Sequence, residues 1–504
     1  MKQPEAAHTA PVSSTPQLGD MPGAEFRRYG YELIDWISNY LEHTSDYPVL
    51  AKTRPGDLRD ALPATPPVHP EPMDDILRDI ETKIVPALTH WNHPSFFAYF
   101  SISSSAPGIF GELLCAAFNV NAMLWRTSPA ATELEEVALS WLRQMIGLPD
   151  TFDGIIYDTA SVSTMHALAA ARETLGLNIR ECGMSGRTDI PLLRVYASEQ
   201  AHSSIEKALI ALGLGQQSLR KIAVDSEFRM SIEALRAAID EDLRAGVRPC
   251  AVVATVGTTS TTSIDPVREI ADICRAHNIW LHVDAAYAGS AAVVPELQHI
   301  LDGCALADSL VTNPHKWLFT PLDLSILYSP RMNVLKQAFS LVPEYLRTTD
   351  ADEVKNGMDY GIQLGRRFRS LKLWMVMRYF GSDGLAARIR EHCRLAQTFR
   401  SWVEAAPDWQ PLAPTPFSTI CFRFAPANIT DDAHLDTLNE QIMHAVNATG
   451  EAYLSHTRLH DRFALRLAIG NIRTTEQHLA RTWTLLQERA ARLTQHNPNN
   501  EFQI

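Results

Sequence analysis

The sequence predicts an α/β fold with a mostly parallel central sheet, preceded by a helical N-terminal arm and followed by a small α+β domain. Three observations lead there. Short, uninterrupted apolar runs, LLRVYAS (192–198), CAVVATVG (250–257), IWLHVDA (279–285) and SLVTN (309–313), read as strands covered on both faces. Helical segments such as ATELEEVALSWLRQMIGL (131–148) and MSIEALRAAIDEDLRAG (230–246) alternate with them, as in βαβ units. Near the end, strand-like STICFRFAP (418–426) and FALRLAIG (463–470) mix with a helical stretch at 476–493, a pattern that suits a separate α+β unit.

In chain order, residues 1–23 are polar and proline-containing, without the apolar centre of a signal peptide, and read as a disordered tail. AEFRRYGYELIDWISNYLEH (24–43) has apolar residues at helical spacing. LPATPPVHPEP (62–72) is an extended linker, because each proline forbids helix at and before itself. MDDILRDIETKIVPAL (73–88) predicts a second helical stretch. Residues 24–105 thus form a helical arm with too little apolar material for its own core, which must pack on something else, such as a partner subunit. A large α/β domain over 106–385 and a small α+β domain over 386–504 complete the expected division, with no internal repeat.

Composition narrows the function. The 504 residues are 46% hydrophobic and 20% charged, the balance of a globular protein with sizeable cores. A formal charge of -13, with no basic stripe to offset it, argues against a nucleic-acid partner. Seven scattered cysteines without a C-x-x-C pair read as reduced thiols of a cytoplasmic protein. No uncharged apolar run approaches the ~20 residues of a membrane span, so a soluble protein is expected.

The chemistry gathers at strand ends, where open parallel sheets place their ligands. TNPHKWLFTP (312–321) sets Lys316 among apolar neighbours. Desolvation there lowers an amine's pKa and makes it a nucleophile able to form a Schiff base, although a lysine whose amine reaches water at a strand end fits the same residues. IWLHV ends in Asp284, a carboxylate suited either to a ring nitrogen or to capping the next turn, with the small Ala286 beyond. GTTSTTS (257–263) is a hydroxyl-rich loop or a cofactor contact. In YDTASVSTMHALAAARE (157–173), Thr159 and Ser161 stand at a helix N-terminus, where free N–H groups favour phosphate, or simply cap it. His202, in SEQAHSSIEKAL (198–209), is a structural histidine or a platform for a flat ring. Together these parts describe one pyridoxal 5′-phosphate site: an anion cradle, an acid for a ring nitrogen, a platform and a lysine for an aldehyde. Competing motifs fail. LGLGQQ (212–217) lacks the third glycine of a dinucleotide fingerprint, and HTRLH (456–460) lacks the glutamate of a zinc protease motif; no metal site is expected.

HPSFFAYFSISSSAPGIFGELLCAAFN (93–119), SPAATELEEVALSWL (128–142), HVDAAYAGSA (282–291), NPHKW (313–317) and LGRRFRSLKLWMVMRYFG (364–381) resemble the group II pyridoxal-phosphate-dependent decarboxylases, aromatic L-amino acid branch. The likeness spans about residues 24 to 485. It implies the type I aminotransferase-like fold and a homodimer whose sites lie at the subunit interface, with the arm at 24–105 wrapping the partner. It implies that Lys316 carries the cofactor, Asp284 pairs with its ring nitrogen and His202 stacks on the ring. Thr159, Ala160, Ser161 and Asn313 would line the phosphate, Thr259 and Ala286 would lie against the cofactor, and His315 would sit beside both phosphate and substrate. Tyr345, in SLVPEYLRTTDADEVKNG (340–357), matches the loop tyrosine that returns a proton to Cα.

The implied reaction is decarboxylation of DOPA, tyrosine, tryptophan, phenylalanine or 5-hydroxytryptophan to the amine. The alternative is an aldehyde synthase on the same fold; such members alter the loop tyrosine or the stacking histidine, and both are retained here. Trp317 after the lysine and Gly365 before RRFR match the aromatic branch. Departures cluster in the substrate pocket. YFSISSS (99–105, with Tyr99, Phe100, Ser101 and Ile102) stands where animal members read YFPTASS, while Asn121 and Met123 replace an aliphatic and an aromatic residue contributed across the dimer. His202, His315 and Gly365 complete the expected substrate contacts. Asp158 occupies a glycine position in the phosphate segment.

Overall fold

The computed structural model describes residues 19–341 and 354–495. The chain divides into two compact units, Met1–Asp46 and Tyr47–Ile504. In the first, one amphipathic helix, Gly23–Glu42, runs into a short turn, Thr44–Asp46, where the Thr44 hydroxyl donates to the Tyr40 carbonyl (2.5 Å). Trp36 and Tyr40 stack along this helix with ring centres 5.4 Å apart, the pairing that i,i+4 spacing provides.

The second unit is built on a seven-stranded sheet. Its strands are β1 (Asp153–Tyr157), β2 (Leu193–Ser198), β3 (Leu219–Ile222), β4 (Arg248–Thr255), β5 (Trp280–Asp284), β6 (Ser309–Thr312) and β7 (Ser325–Ser329). They lie in the order β1-β7-β6-β5-β4-β2-β3. β3, β2, β4, β5 and β6 pair in parallel, while β7 runs antiparallel to both β6 and β1. The apolar runs anticipated from the sequence are the buried strands β2, β4, β5 and β6, covered on both faces by helices. Because β7 reverses direction between β6 and β1, β1 ends at the same edge of the sheet as β4, β5 and β6. That edge therefore collects the loops after β1, β4, β5 and β6, together with the loop after β2, which is parallel to β4.

A smaller antiparallel sheet, β8 (Trp409–Pro411), β9 (Thr419–Phe424), β10 (Ser455–Leu459) and β11 (Arg462–Ala468), has the order β10-β11-β9-β8. It packs Ile420, Phe422, Leu465 and Leu467 against residues of helices Asp432–Asn447, Glu476–Gln495 and the later half of Ser370–Ala405. The last of these breaks at Gly381, whose φ of 65° and ψ of 171° are open to glycine and strained for other residues.

Two local expectations meet tertiary detail. The stretch 73–88 is regular helix only over Met73–Asp79; a wide turn over Ile80–Ile84 and a tight one over Val85–Ala87 follow, because Pro86 has no N–H to continue the ladder. HTRLH is strand β10 plus its turn, with His456 stacked on Phe463 and His460 on Phe228. All seven cysteines are unpaired. Among the described residues, no helix is long and apolar enough to cross a membrane.

Candidate active site

Strand β6 passes directly into a single helical turn, Pro314–Trp317, headed by Asn313. The Lys316 N–H donates to the Asn313 carbonyl (2.9 Å), and the Asn313 N–H to the Ala286 carbonyl (3.1 Å), tying this turn to the loop after β5. Trp317 anchors it from below. Its indole is fully buried, lies parallel to Tyr287 with centres 4.6 Å apart, and donates to His392 Nδ1 (2.9 Å). Held in this way, Lys316 faces a cavity of about 190 Å³, with Nζ 5.4 Å from the centre of the Phe100 ring. Phe100 in turn stacks on Tyr287 at 3.8 Å. Lys316 keeps some accessible surface because it lines the cavity, yet the protein encloses its amine and burial pushes its pKa below 10.5. The Asp284 carboxylate opposes that shift and the Arg466 guanidinium adds to it.

Asp284 ends β5, level in register with Thr255 at the end of β4 and with Val311 in β6. One of its oxygens, Oδ1, accepts from the Ala286 N–H (3.1 Å). Small residues let the segments after β4 and β5 approach closely: Gly257 has φ +89°, and a Cβ there would meet that of Ala288 at 2.6 Å. His202 lies at the mouth of the cavity. Its Nδ1 accepts from the Ser204 N–H (3.1 Å), and desolvation lowers its pKa, so the neutral ring carries its proton on Nε2. His315 is deeper. Burial pushes its pKa down to about 3, and its Nδ1 accepts from the Leu324 N–H (2.9 Å), which again places the proton on Nε2.

The loop after β1 opens helix Ala160–Glu173. Thr159 is its N-cap residue, and the Val162 and Ser163 N–H groups bond back to the Thr159 carbonyl. The N–H groups of Ala160 and Ser161 precede the first N–H that bonds within the helix, and both residues line the cavity.

All ten residues expected around the cofactor therefore line one cavity: Thr159, Ala160 and Ser161 from one loop, Asn313, His315 and Lys316 from another, with His202, Thr259, Asp284 and Ala286 between them. Of the expected substrate contacts, Phe100, His202 and His315 are there too. Tyr99 points its ring at Trp91 and Tyr453 instead, Ser101 is buried beside Gly470, and Ile102 follows it in the chain. Asn121, Met123 and Gly365 form a separate group. Asn121 Oδ1 accepts from the Arg366 N–H (2.9 Å), and Asn121 Nδ2 lies 3.1 Å from the Met123 sulfur. Tyr345 falls outside the described residues.

Sequence reasoning did not single out Ser204, Thr255, Tyr287 or Arg466. The strand-end position of Thr255 was the available signal, and Tyr287, which itself lines the cavity, lies three residues past the end of β5; Arg466 gave none, since it reaches the site through packing on Phe100.

Residues 55–425 match the pyridoxal-dependent decarboxylase conserved domain. The chain belongs to that family. It is 39% identical over 486 residues to phenylacetaldehyde synthase of Arabidopsis thaliana, covering 94% of this chain and 98% of the relative. It is 39% identical to tyrosine decarboxylase 2 of Narcissus pseudonarcissus, covering 96% and 98%. The crystal structure of Oryza sativa TDC with PLP and tryptamine superposes with a TM-score of 0.90 at 37% identity, covering 94% of this chain and 99% of that one.

The cavity of this decarboxylase suits the family's cofactor. Three cavity-lining polar atoms, Ser204 Oγ, Thr255 Oγ1 and Asn313 Oδ1, are buried with no hydrogen-bond partner. Orphaned polar atoms of this kind are costly and mark a place where a polar ligand completes the set.

Proposed function

We propose that this chain decarboxylates aromatic L-amino acids to the corresponding amine and CO₂, using pyridoxal 5′-phosphate. The supporting observation is convergence. An amine with a depressed pKa, a strand-end carboxylate and the open first turn of a helix face the same cavity. DOPA, tyrosine, tryptophan, phenylalanine and 5-hydroxytryptophan are the proposed substrates, in keeping with relatives named for tyrosine and tryptophan.

When bound, the cofactor supplies an electron sink that accepts the bonding pair as CO₂ leaves Cα. Lys316 would hold its aldehyde carbon and give way to the substrate amine. Asp284, with Oδ1 engaged by Ala286, has Oδ2 left to keep a proton on the ring nitrogen. The Ala160 and Ser161 N–H groups, with Thr159 and Asn313, would hold the phosphate. His202 would lie against the ring, and Phe100 with His315 would face the substrate. Tyr345 would return a proton to Cα. General acid catalysis of this kind is worth roughly 10²–10⁴-fold. Tyr345→Phe is therefore expected to lower amine formation by about that factor while substrate binding and CO₂ release survive, with aldehyde and O₂ uptake appearing instead.

A second reading, aldehyde synthesis with oxidative deamination, has support from the relative named phenylacetaldehyde synthase. A panel of aromatic amino acids assayed for CO₂, amine, aldehyde, ammonia and O₂ uptake separates the two. Amine in step with CO₂ supports decarboxylation. Stoichiometric aldehyde, ammonia and hydrogen peroxide overturn it.

We also propose a homodimer. Helix Ala106–Phe118 exposes Phe110, Leu113, Leu114 and Phe118, and Ile362, Leu364 and Tyr379 are exposed as well. Apolar surface of this extent is expected to be covered. Asn121, Met123 and Gly365 would then serve the partner's substrate pocket, and the free thiols suit a cytoplasmic protein. Sedimentation of an active monomer at assay concentration would contradict the dimer.

A further inference from the structure

A carboxylate that does not itself line the cavity is bonded to the cavity's phosphate end. Asp158 Oδ1 takes both donors of Thr159, the N–H at 2.5 Å and the hydroxyl at 3.1 Å. Those donors stand immediately before the Ala160 and Ser161 N–H groups that head helix Ala160–Glu173. Asp158 is only half-buried, and among the described residues no lysine or arginine pairs with it. Its other oxygen, Oδ2, accepts from Gln363 Nε2 (3.0 Å).

That second bond leads away from the cavity. Gln363 belongs to a segment fastened to the same strand and helix at two further points. The Tyr157 hydroxyl donates to the Tyr360 carbonyl, and the Ile362 N–H donates to His166 Nε2 (3.3 Å). The Asp158 carboxylate is therefore fixed from outside the cavity while it occupies Thr159 inside it. A phosphate arriving at this helix N-terminus meets a resident carboxylate already bonded to one of the cradle's hydroxyls.

We propose that Asp158 competes with the cofactor's phosphate for Thr159, so that this chain binds its phosphorylated cofactor more weakly than the cradle alone would allow. The inference rests on the pyridoxal 5′-phosphate reading above. Asp158 acts here as a positioning residue, since it works through Thr159 and through the charge it holds beside the cradle. A phosphate must either displace the carboxylate from the Thr159 hydroxyl or bind with one donor fewer. In both cases two like charges are brought close, and one such charge shifts a neighbouring equilibrium by about tenfold.

The test uses the full chain freed of cofactor. It is titrated with pyridoxal 5′-phosphate and, separately, with pyridoxal, following the visible absorbance of the lysine-bound aldehyde. Asp158→Asn keeps an acceptor oxygen for Thr159 and a partner for Gln363 but removes the charge. Its Kd for pyridoxal 5′-phosphate is expected to fall about tenfold, with the Kd for pyridoxal unchanged. Inorganic phosphate should compete with the phosphorylated ligand at correspondingly lower concentration. Asp158→Gly, which frees Thr159 altogether, should tighten the phosphorylated ligand at least as much. An unchanged or raised Kd for pyridoxal 5′-phosphate in Asp158→Asn overturns the proposal. So does an equal shift for both ligands, which would mark a general structural effect. Absence of the lysine-bound absorbance in the parent protein with either ligand would overturn the cofactor reading as well, which keeps the two failures distinct.

Discussion

The turn after β6 and the start of helix Ser370–Ala405 each enclose a lysine, and the two lysines are treated in opposite ways. Lys372 is fully buried, and its ammonium bonds the Glu112 carboxylate. Burial lowers its pKa, but the Glu112 hydrogen bond and charge push the other way. Lys316 also has its pKa lowered by burial, and among the described residues no carboxylate forms an ion pair with it; Asp284 acts only through space. Desolvation penalises a charged amine in both places. Where a carboxylate stands in hydrogen-bond contact the charge is kept and the amine becomes a strut. Where it stands back, the neutral form gains and the amine is available as a nucleophile. A buried lysine is thus no mark of function by itself; the distance to the nearest carboxylate decides which kind it is.

The largest expected effect comes from removing the unpaired member. Lys316→Ala should abolish the visible absorbance of the lysine-bound cofactor and bring turnover to background, although the cofactor can remain held through its phosphate. A variant with the parental spectrum and rate would break the contrast outright. Next comes the paired member. Glu112→Ala strands a buried ammonium, and breaking such a pair costs roughly 3–5 kcal/mol. Chemical denaturation should register that loss in stability. Lys372→Met combined with Glu112→Leu should recover most of it, because apolar replacement of a buried pair is often close to neutral. Equal stability of Glu112→Ala and the parent would mean that Lys372 needs no counter-charge.

The smallest effect sharpens the comparison without mutation. A lowered pKa means that the neutral amine is present at lower pH than for a surface lysine at about 10.5. In cofactor-free protein, acylation of Lys316 should therefore begin at a lower pH than that of exposed lysines such as Lys221, as read by peptide mass spectrometry. Lys372 has its pKa lowered as well, yet it is sealed from solvent and bonded to Glu112, so it should stay unlabelled until the protein unfolds. Labelling of Lys316 no earlier than Lys221 would show that its enclosure does not depress the pKa.

The sequence by itself determined the covered strands and the loops they feed. A run such as CAVVATVG has no polar face, so it can only be buried on both sides, and buried parallel strands align their ends along one edge. Lys316, Asp284 and the opening of helix Ala160–Glu173 were legible for the same reason, because each lies at the end of a strand or within four residues of it. The mixed direction of the sheet was not legible, since β1 and β7 meet across 167 residues or more through contacts that no local pattern encodes. Nor was the column of Phe100, Tyr287 and Trp317 behind the lysine, whose members come from three distant segments. Lys372 sits in a motif quoted for family resemblance, yet only tertiary packing reveals that it is buried and that Glu112, 260 positions away, neutralises it. Asp158 was visible as a departure from glycine, but its hold on Thr159 and its bond to Gln363 depend on how the segment after the loop folds back over β1. Local pattern dictates which groups end a strand. Long-range packing decides which charges they meet, and with them the pKa and reactivity of each group.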